Sequence, residues 1–331
     1  MGLKEYVIKR IFITILLIWV VATVNFLIFN ALPGTSLQRY VVRSLSGGSE
    51  GISTEDIEEL KRMFGFGLPL HEKYGVYLKS MFTLNFGYSF HCGKVVDAIA
   101  SHLPNTLILM GTSEMMAITF GILLGVIVAY KRGSLFDSTV VTSSLLAYSV
   151  PVFWLGWIIL NSFSVSLGWF PIQGFQPTAW GFNPPGPLEY IAGRIHHLVL
   201  PATTLFIFLV GGWILLARAT VLETITEDYV VTAQAKGLKT RTVLFKHVLK
   251  NASLPLITSV ALTLGFLITG AIITETVFSY EGMGLLTIRA INDDDLPVLQ
   301  AVFFVISILV VLANFAADLI YGIIDPRIKY G

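Results

Sequence analysis

The side chains of this 331-residue chain that could do chemistry do not form a catalytic set. A phosphate-binding loop needs Gly-x-x-x-x-Gly-Lys and then Ser or Thr, so that successive backbone N–H groups surround the phosphate. The Gly-Lys of Cys92-Gly93-Lys94-Val95 lacks both the leading Gly and the hydroxyl. His71-Glu72-Lys73-Tyr74-Gly75 starts like a zinc-binding helix but has Gly where the second His must fall. His196 and His197 are adjacent, so they diverge on a helix and suit interfacial packing better than a shared metal. The single Cys92 excludes an internal disulfide framework and any Cys-rich metal site, and reads as a small loop residue. No nucleophile, base and orienting group converge, so no catalytic residue and no metal ligand is assigned.

What remains is a set of carboxylates in or beside apolar runs. An ionisable residue inside a membrane span is functional by default. Glu114 either lines a pathway, where it would meet an amine, or is a hydrogen-bonded packing group. Glu275, at the outer end of a run, reads as a wetted or gating residue. Asp318 lies near the end of another run, where its carboxylate reaches water, and reads as structural. Asp293-Asp294-Asp295 reads as a solvated acidic face, with docking of an outside partner as the sharper alternative.

These residues must be positioned by elements built for lipid. Hydrophobic residues make up 54% of the chain and charged ones 13%, and the mean hydropathy is +0.75. Soluble domains average about 25% charged residues. The formal net charge of +1 offers no field for nucleic acid. A spanning helix needs about 20 mainly apolar residues, and six segments qualify: Ile11–Leu32, Asn105–Tyr130, Thr139–Val165, His197–Ala217, Leu254–Thr274 and Val298–Tyr321. The first is 22 uncharged residues ending in Leu32-Pro33-Gly34. That is longer than the 7–15-residue core of a cleavable signal, so an uncleaved span is expected.

With the N-terminus inside, the inner pieces 1–10, 131–138, 218–253 and 322–331 carry thirteen of the 22 Lys and Arg residues. The short outer loops carry only Arg194 and Arg289. This asymmetry places both termini in the cytoplasm. Residues 33–103 then form an extracytoplasmic insertion. Within it, Ser53 opens a short helix that Gly65 stops, and a second amphipathic piece covers Pro69–Phe82. The second outer loop, Gly168–Arg194, is rich in Pro, Gly and aromatics and predicts re-entrant or interfacial turns.

The only long inner loop, 218–253, contains DYVVTAQAKGLKTRTVLFKHVLKNASLP from Asp228 to Pro255. Leu222, Ile225, Tyr229 and Ala233 recur at helical spacing, and Gly237 supplies the left-handed position that ends a helix cheaply. Thr240 can cap a second helix with Val243, Leu244, His247 and Val248 on one face and Lys246 and Lys250 on the other. On composition, this basic hairpin could lie on an anionic leaflet or dock a partner through its small residues.

The stretch Tyr229–Leu238 with the later Leu254-Pro255 resembles the signature cytoplasmic loop, the "EAA" motif, of ABC importer permeases. Val231 stands where that motif has Glu, and the Gly-to-Pro spacing is longer than in its maltose-type form. Both departures resemble the dipeptide/oligopeptide/nickel branch. An ordered series of blocks resembles it too: Phe86-Gly87-Tyr88-Ser89, Leu103-Pro104-Asn105-Thr106, Pro151–Gly156, Gly168–Pro171, Glu281-Gly282-Met283-Gly284, Asp295–Gln300 and Asp325-Pro326-Arg327.

The resemblance implies an all-α, six-span type I ABC importer transmembrane domain, with a core permease region at about 95–325. It implies peptide transport, no cofactor on this chain, and ATP with Mg on two cytoplasmic ABC ATPase subunits. The other implied partners are a second homologous permease, an extracytoplasmic binding protein that Asp293, Asp294 and Asp295 would help dock, and membrane lipid. Asp228, Tyr229, Ala233, Ala235, Lys236, Gly237 and Leu238 are the expected ATPase contacts, and Glu114 and Glu275 the expected pathway or gating residues. The same architecture would also suit nickel chelates or short oligosaccharides. A stand-alone ion-coupled carrier would instead predict inverted repeats with broken helices near the midplane, and neither is visible in the sequence.

Overall fold

The computed structural model describes residues 3–31, 68–89, 91–181, 185–239, 242–266 and 272–324. The expected helix between Ser53 and Gly65, the Thr240 cap and the block Asp325-Pro326-Arg327 lie outside these residues.

Almost every described element is a helix. In chain order they are α1 (Leu3–Phe26, continued by a π-helical turn Leu27–Ala31), α2 (Leu70–Phe82), α3 (Val95–Tyr130), α4 (Leu135–Ser149) and α5 (Val152–Ile159, continued by the π-helical Leu160–Ser166). Then come α6 (Pro187–Ile225), α7 (Asp228–Ala235), the π-helical Val243–Val248 leading into α8 (Leu249–Phe266), α9 (Ile272–Val277), α10 (Met283–Asn292) and α11 (Leu296–Ile324). A two-residue antiparallel hairpin, β1 (Tyr88–Ser89) with β2 (Gly93–Lys94), sits just before α3.

Helices α3 and α6 have 36 and 39 residues, so they run about 54 and about 58 Å at 1.5 Å per residue. The hydrocarbon layer needs only about 30 Å. The apolar runs expected over Asn105–Tyr130 and His197–Ala217 are therefore the lipid-depth portions of longer helices. Residues 95–103, expected within the insertion, are the first turns of α3.

α3 and α6 pack along each other, and small residues set the distance. A Cβ on Gly121 would lie 2.3 Å from the Trp213 Cβ, and one on Gly125 would lie 2.6 Å from the Ala217 Cβ. The Gly-x-x-x-Gly spacing brings the backbones together where apolar association alone gives little drive. At the other side of the molecule α1 packs on α11. Arg10 pairs with Asp318 at 2.7 Å, and Tyr6 Oη donates to the Asp318 carbonyl at 3.1 Å. Farther along, Asn25 Nδ2 donates to the Gln300 carbonyl at 3.0 Å. The structural reading of Asp318 thus has a partner, Arg10. α2 seals the end of this pair through aromatic contacts, Phe26 with Tyr74 and Tyr77 and Phe82 with Phe304.

Among the described residues, four helical stretches are long and apolar enough to cross a membrane: Glu5–Phe29, Val95–Tyr130, Pro187–Ile225 and Leu296–Leu319. The expected third span is not one helix. α4 and the Val152–Ser166 segment meet at 99°. Pro151 has no N–H to donate, and it drives Val150 into extended backbone (ψ 128°). The expected fifth span, Leu254–Thr274, corresponds to α8 and α9, and residues 267–271 between them lie outside the described set.

Candidate functional site

The hairpin between α6 and α8 is built on a buried apolar base. Val221 of α6, Val230 and Ala233 of α7, and Val243, Val248 and Ala252 pack with Val126 and Ala129 of α3. Asp228 in the first turn of α7 meets the positive end of that helix. Lys236 N–H donates to the Thr232 carbonyl at 3.1 Å, and the chain reverses at Gly237, whose φ is +73°. A Cβ there would meet nothing within 4 Å. The positive φ favours glycine at that point, and the space above it is open.

The expected contact residues divide into two groups. Asp228, Tyr229, Ala235, Lys236, Gly237 and Leu238 are exposed, and with Val231 they make a mixed apolar and charged surface at the tip. Ala233 is not part of it: it is 5% exposed and faces the base. The expected stripe through Tyr229 is also corrected, because Val230 takes the inward place. Thr226 and Glu227 form a turn between α6 and α7, which resets the helical phase that the sequence pattern carried through. On the return, Val243, Leu244 and Val248 are buried and Lys246 and Lys250 exposed, as the amphipathic pattern predicts.

The root of the hairpin carries an ion pair that sequence reasoning missed. Arg218 Nε donates to Asp137 Oδ1 at 2.7 Å and Nη2 donates to Oδ2 at 3.0 Å. Asp137 Oδ2 also accepts the Gly133 N–H at 2.9 Å. Arg218 had counted only toward the inner positive charge. No spacing rule links residues 81 positions apart.

At the opposite end a buried carboxylate organises a second cluster. Glu275 is fully buried. Thr106 Oγ1 donates to its Oε1 at 2.7 Å, the Leu285 N–H donates to Oε2 at 3.0 Å, and the Gly284 N–H also bonds the carboxylate. The Thr106 hydroxyl in turn accepts the Met283 N–H at 2.7 Å. Met283, Gly284 and Leu285 are the first three residues of α10, whose N-cap Gly282 has no side chain to satisfy them. Glu275 and Thr106 therefore perform the capping that α10 cannot do for itself. A Cβ on Gly282 would sit 2.5 Å from the carboxylate, so glycine makes room for it. Beside this, Asn105 Nδ2 donates to the Glu281 carbonyl at 2.6 Å, and Arg194 Nη2 donates to Asn105 Oδ1 at 2.6 Å. The blocks Leu103–Thr106 and Glu281–Gly284 are thus two halves of one cluster. The expectation that Glu275 is wetted is corrected: it caps a helix N-terminus, away from water.

Glu114 is buried and accepts the Trp213 indole N–H at 2.8 Å, within the α3–α6 contact. The Asp triad splits. Asp293 and Asp294 are exposed, whereas Asp295 is buried, accepts the Ser89 hydroxyl and the Val298 N–H, and ties the β-hairpin to the start of α11. Burial pushes the Asp295 carboxyl above the usual carboxylate range, against the lowering effect of the Ser89 bond. The solvated reading therefore fails for Asp295. His196 bonds the Trp169 carbonyl and His197 the Gly174 carbonyl, so the pair secures the loop that carries Trp169 and Gly174.

Residues 121–330 match the family described as binding-protein-dependent transport system inner membrane component. Over 338 aligned residues the chain is 34% identical to the di/tripeptide transport system permease protein DppB of Pseudomonas aeruginosa, covering 98% of this chain and 99% of that one. It is likewise 34% identical to the oligopeptide transport system permease protein AppB of Bacillus subtilis, covering 99% and 100%. A chain of the MetNI methionine ABC transporter, in inward-facing conformations, aligns with a TM-score of 0.54 at 18% identity over 69% of this chain and 96% of its own. That last likeness is one of fold.

Proposed function

The chain belongs to the binding-protein-dependent transport system inner membrane component family, and from that premise we propose that it is the peptide-translocating permease subunit of an ATP-driven importer. It is a multi-pass protein of the cytoplasmic membrane and a transport subunit, not the ATPase of its system. The relatives named for di/tripeptide and oligopeptide transport match it almost end to end, which favours peptides over nickel chelates or oligosaccharides.

The carrying observation is the hairpin tip: an exposed surface of Tyr229, Val231, Ala235, Lys236 and Leu238, held on a buried base at the end of a 39-residue helix. Such a surface suits a cytoplasmic partner. In this reading two ABC ATPase subunits bind ATP and Mg, and one receives the tip. A second homologous permease completes the pathway, and a binding protein delivers the peptide on the other side. The proposed topology has six spans, counting the bent pair as one and α8–α9 as another, with both termini in the cytoplasm. Residues 33–103 form the extracytoplasmic insertion, 218–253 the coupling loop and about 95–325 the permease core. Closure of the ATPases would rock the permease pair between inward- and outward-open states as rigid bodies.

The test is purification of the chain with its partners, reconstitution with the binding protein, and measurement of peptide uptake and ATP hydrolysis together. Peptide-stimulated hydrolysis and strictly ATP-dependent uptake are expected. Uptake by the chain alone, driven by an ion gradient without ATP, would overturn the reading in favour of a secondary carrier.

A further inference from the structure

The Asp137–Arg218 pair sits where the coupling helix meets the broken span. We infer that it is a positioning joint of the transport cycle, holding α4 to α6 so that motion of the hairpin reaches the bend at Pro151. The inference rests on the coupling reading of the hairpin.

The joint has the geometry of a fixed fitting. Both carboxylate oxygens of Asp137 are engaged by the two nitrogens of one guanidinium, and the Gly133 N–H adds a third donor. The Asp137 residue is 5% exposed, and the Arg218 side chain retains 26% exposure. A planar bidentate fork resists rotation in a way that a single ammonium contact does not. Ser134 caps α4 by accepting the Asp137 N–H at 3.2 Å, so Asp137 belongs to a closed first turn.

A second attachment lies farther along the same two helices. A Cβ on Gly211 would lie 2.6 Å from the Ser144 carbonyl oxygen, so the backbones touch there. Ser144 is seven residues after Asp137, and Gly211 is seven before Arg218. Two attachments about 10 Å apart on antiparallel helices block both sliding and rotation. α4 must then move with α6.

The two ends of this unit lead to different places. Ile225, seven residues beyond Arg218, ends α6 at the hairpin, and the buried base binds α7 to α6. At the far end of α4 the chain turns through 99° into α5, which exposes Phe153, Trp154 and Trp157. The ion pair thus stands between the partner-facing tip and an aromatic-rich segment at membrane depth. An anchor serving stability alone would weaken assembly, uptake and hydrolysis in parallel. A positioning joint would change uptake per ATP consumed.

The experiment uses the whole complex in proteoliposomes with its binding protein, and the labelled mixture of short peptides that the unaltered complex takes up. Asp137→Asn and Arg218→Gln should lower uptake per ATP by about tenfold, a typical size for coupling between sites. Arg218→Lys keeps the charge and folds more safely, and should give an intermediate loss. The double exchange Asp137→Arg with Arg218→Asp should recover part of the ratio. Unchanged uptake per ATP in all of these, or uptake and hydrolysis falling in step with lost complex, overturns the inference. Gly237→Glu in the same assay separates the two readings. If it uncouples while the Asp137 and Arg218 variants do not, only the joint is wrong; if it leaves the ratio intact, the coupling reading falls and takes the joint with it.

Discussion

Glu275 shows how much of a site rests on one side chain. A carboxylate removed from water is costly unless its oxygens are filled, and here a hydroxyl and two helix N–H groups fill them. The arrangement has a direction. The single proton of Thr106 goes to Glu275, because its oxygen is already receiving the Met283 N–H. Glu275→Gln puts an amide donor among donors, and Thr106→Val removes the acceptor from Met283. Each change leaves at least one buried donor unpaired, which costs about 1–3 kcal/mol. Both variants should melt at lower temperature than the parent chain in detergent, measured by tryptophan fluorescence. Unchanged melting in both would show that the cap is dispensable. The sequence marked Glu275 as notable and marked the blocks around Thr106 and Gly282. It could not show that they meet, because the partners are 169 residues apart and hydrogen-bond pairing leaves no spacing signature.

Among the elements, those legible in advance were set by composition over long windows. The apolar runs located α1, α3, α6 and α11, and Gly237 marked the hairpin turn. The ends were less legible, since hydropathy stops where lipid stops while hydrogen bonding carries the helix on into water. Proline was ambiguous. Pro104, Pro201 and Pro255 lie inside continuous helices, whereas Pro151 marks a sharp break. The local chemistry is the same in all four, so the surrounding packing decides. In the hairpin, two positions that read alike in sequence now separate. Ala233 is buried against the base, so Ala233→Leu should act through overpacking, at a typical cost of about 1–3 kcal/mol, and should lower the yield of folded chain. At Gly237 the demand is a positive φ under open space. Asn tolerates that backbone conformation and Glu does not. Gly237→Asn should therefore fold normally, and Gly237→Glu should fold less well and bind the ATPase more weakly than the parent chain. Pull-down of the ATPase subunits beside a folding assay checks both. Equal binding by both Gly237 variants and by Tyr229→Ala would remove the tip from the partner interface.

Across the whole molecule, α6 is the member that touches nearly everything. One face meets α3 at Trp213 and Ala217, another meets α4 at Gly211, its far end reaches Asn105 through Arg194, and its near end becomes the hairpin. A helix so enclosed should have no spare room, yet Gly212 lies between buried Gly211 and Trp213 and is itself exposed, with nothing within 4 Å of its would-be Cβ. That open face lies within the apolar stretch of α6, and in the proposed assembly it is where a second permease or the pathway would be met. Adjacent glycines should therefore respond in opposite ways. Gly121→Ala and Gly211→Ala introduce a methyl group into backbone contact and should destabilise the isolated chain. Gly212→Ala should be neutral or stabilise it by about 0.5–1 kcal/mol, the usual advantage of alanine over glycine in a helix. Gly212→Trp carries the argument to the assembly: the isolated chain should melt as before, while the reconstituted complex loses uptake because the ring occupies space that the chain alone leaves empty. Full uptake by the Gly212→Trp complex would show that this face meets only lipid, and the pathway would then have to lie along another side of α6.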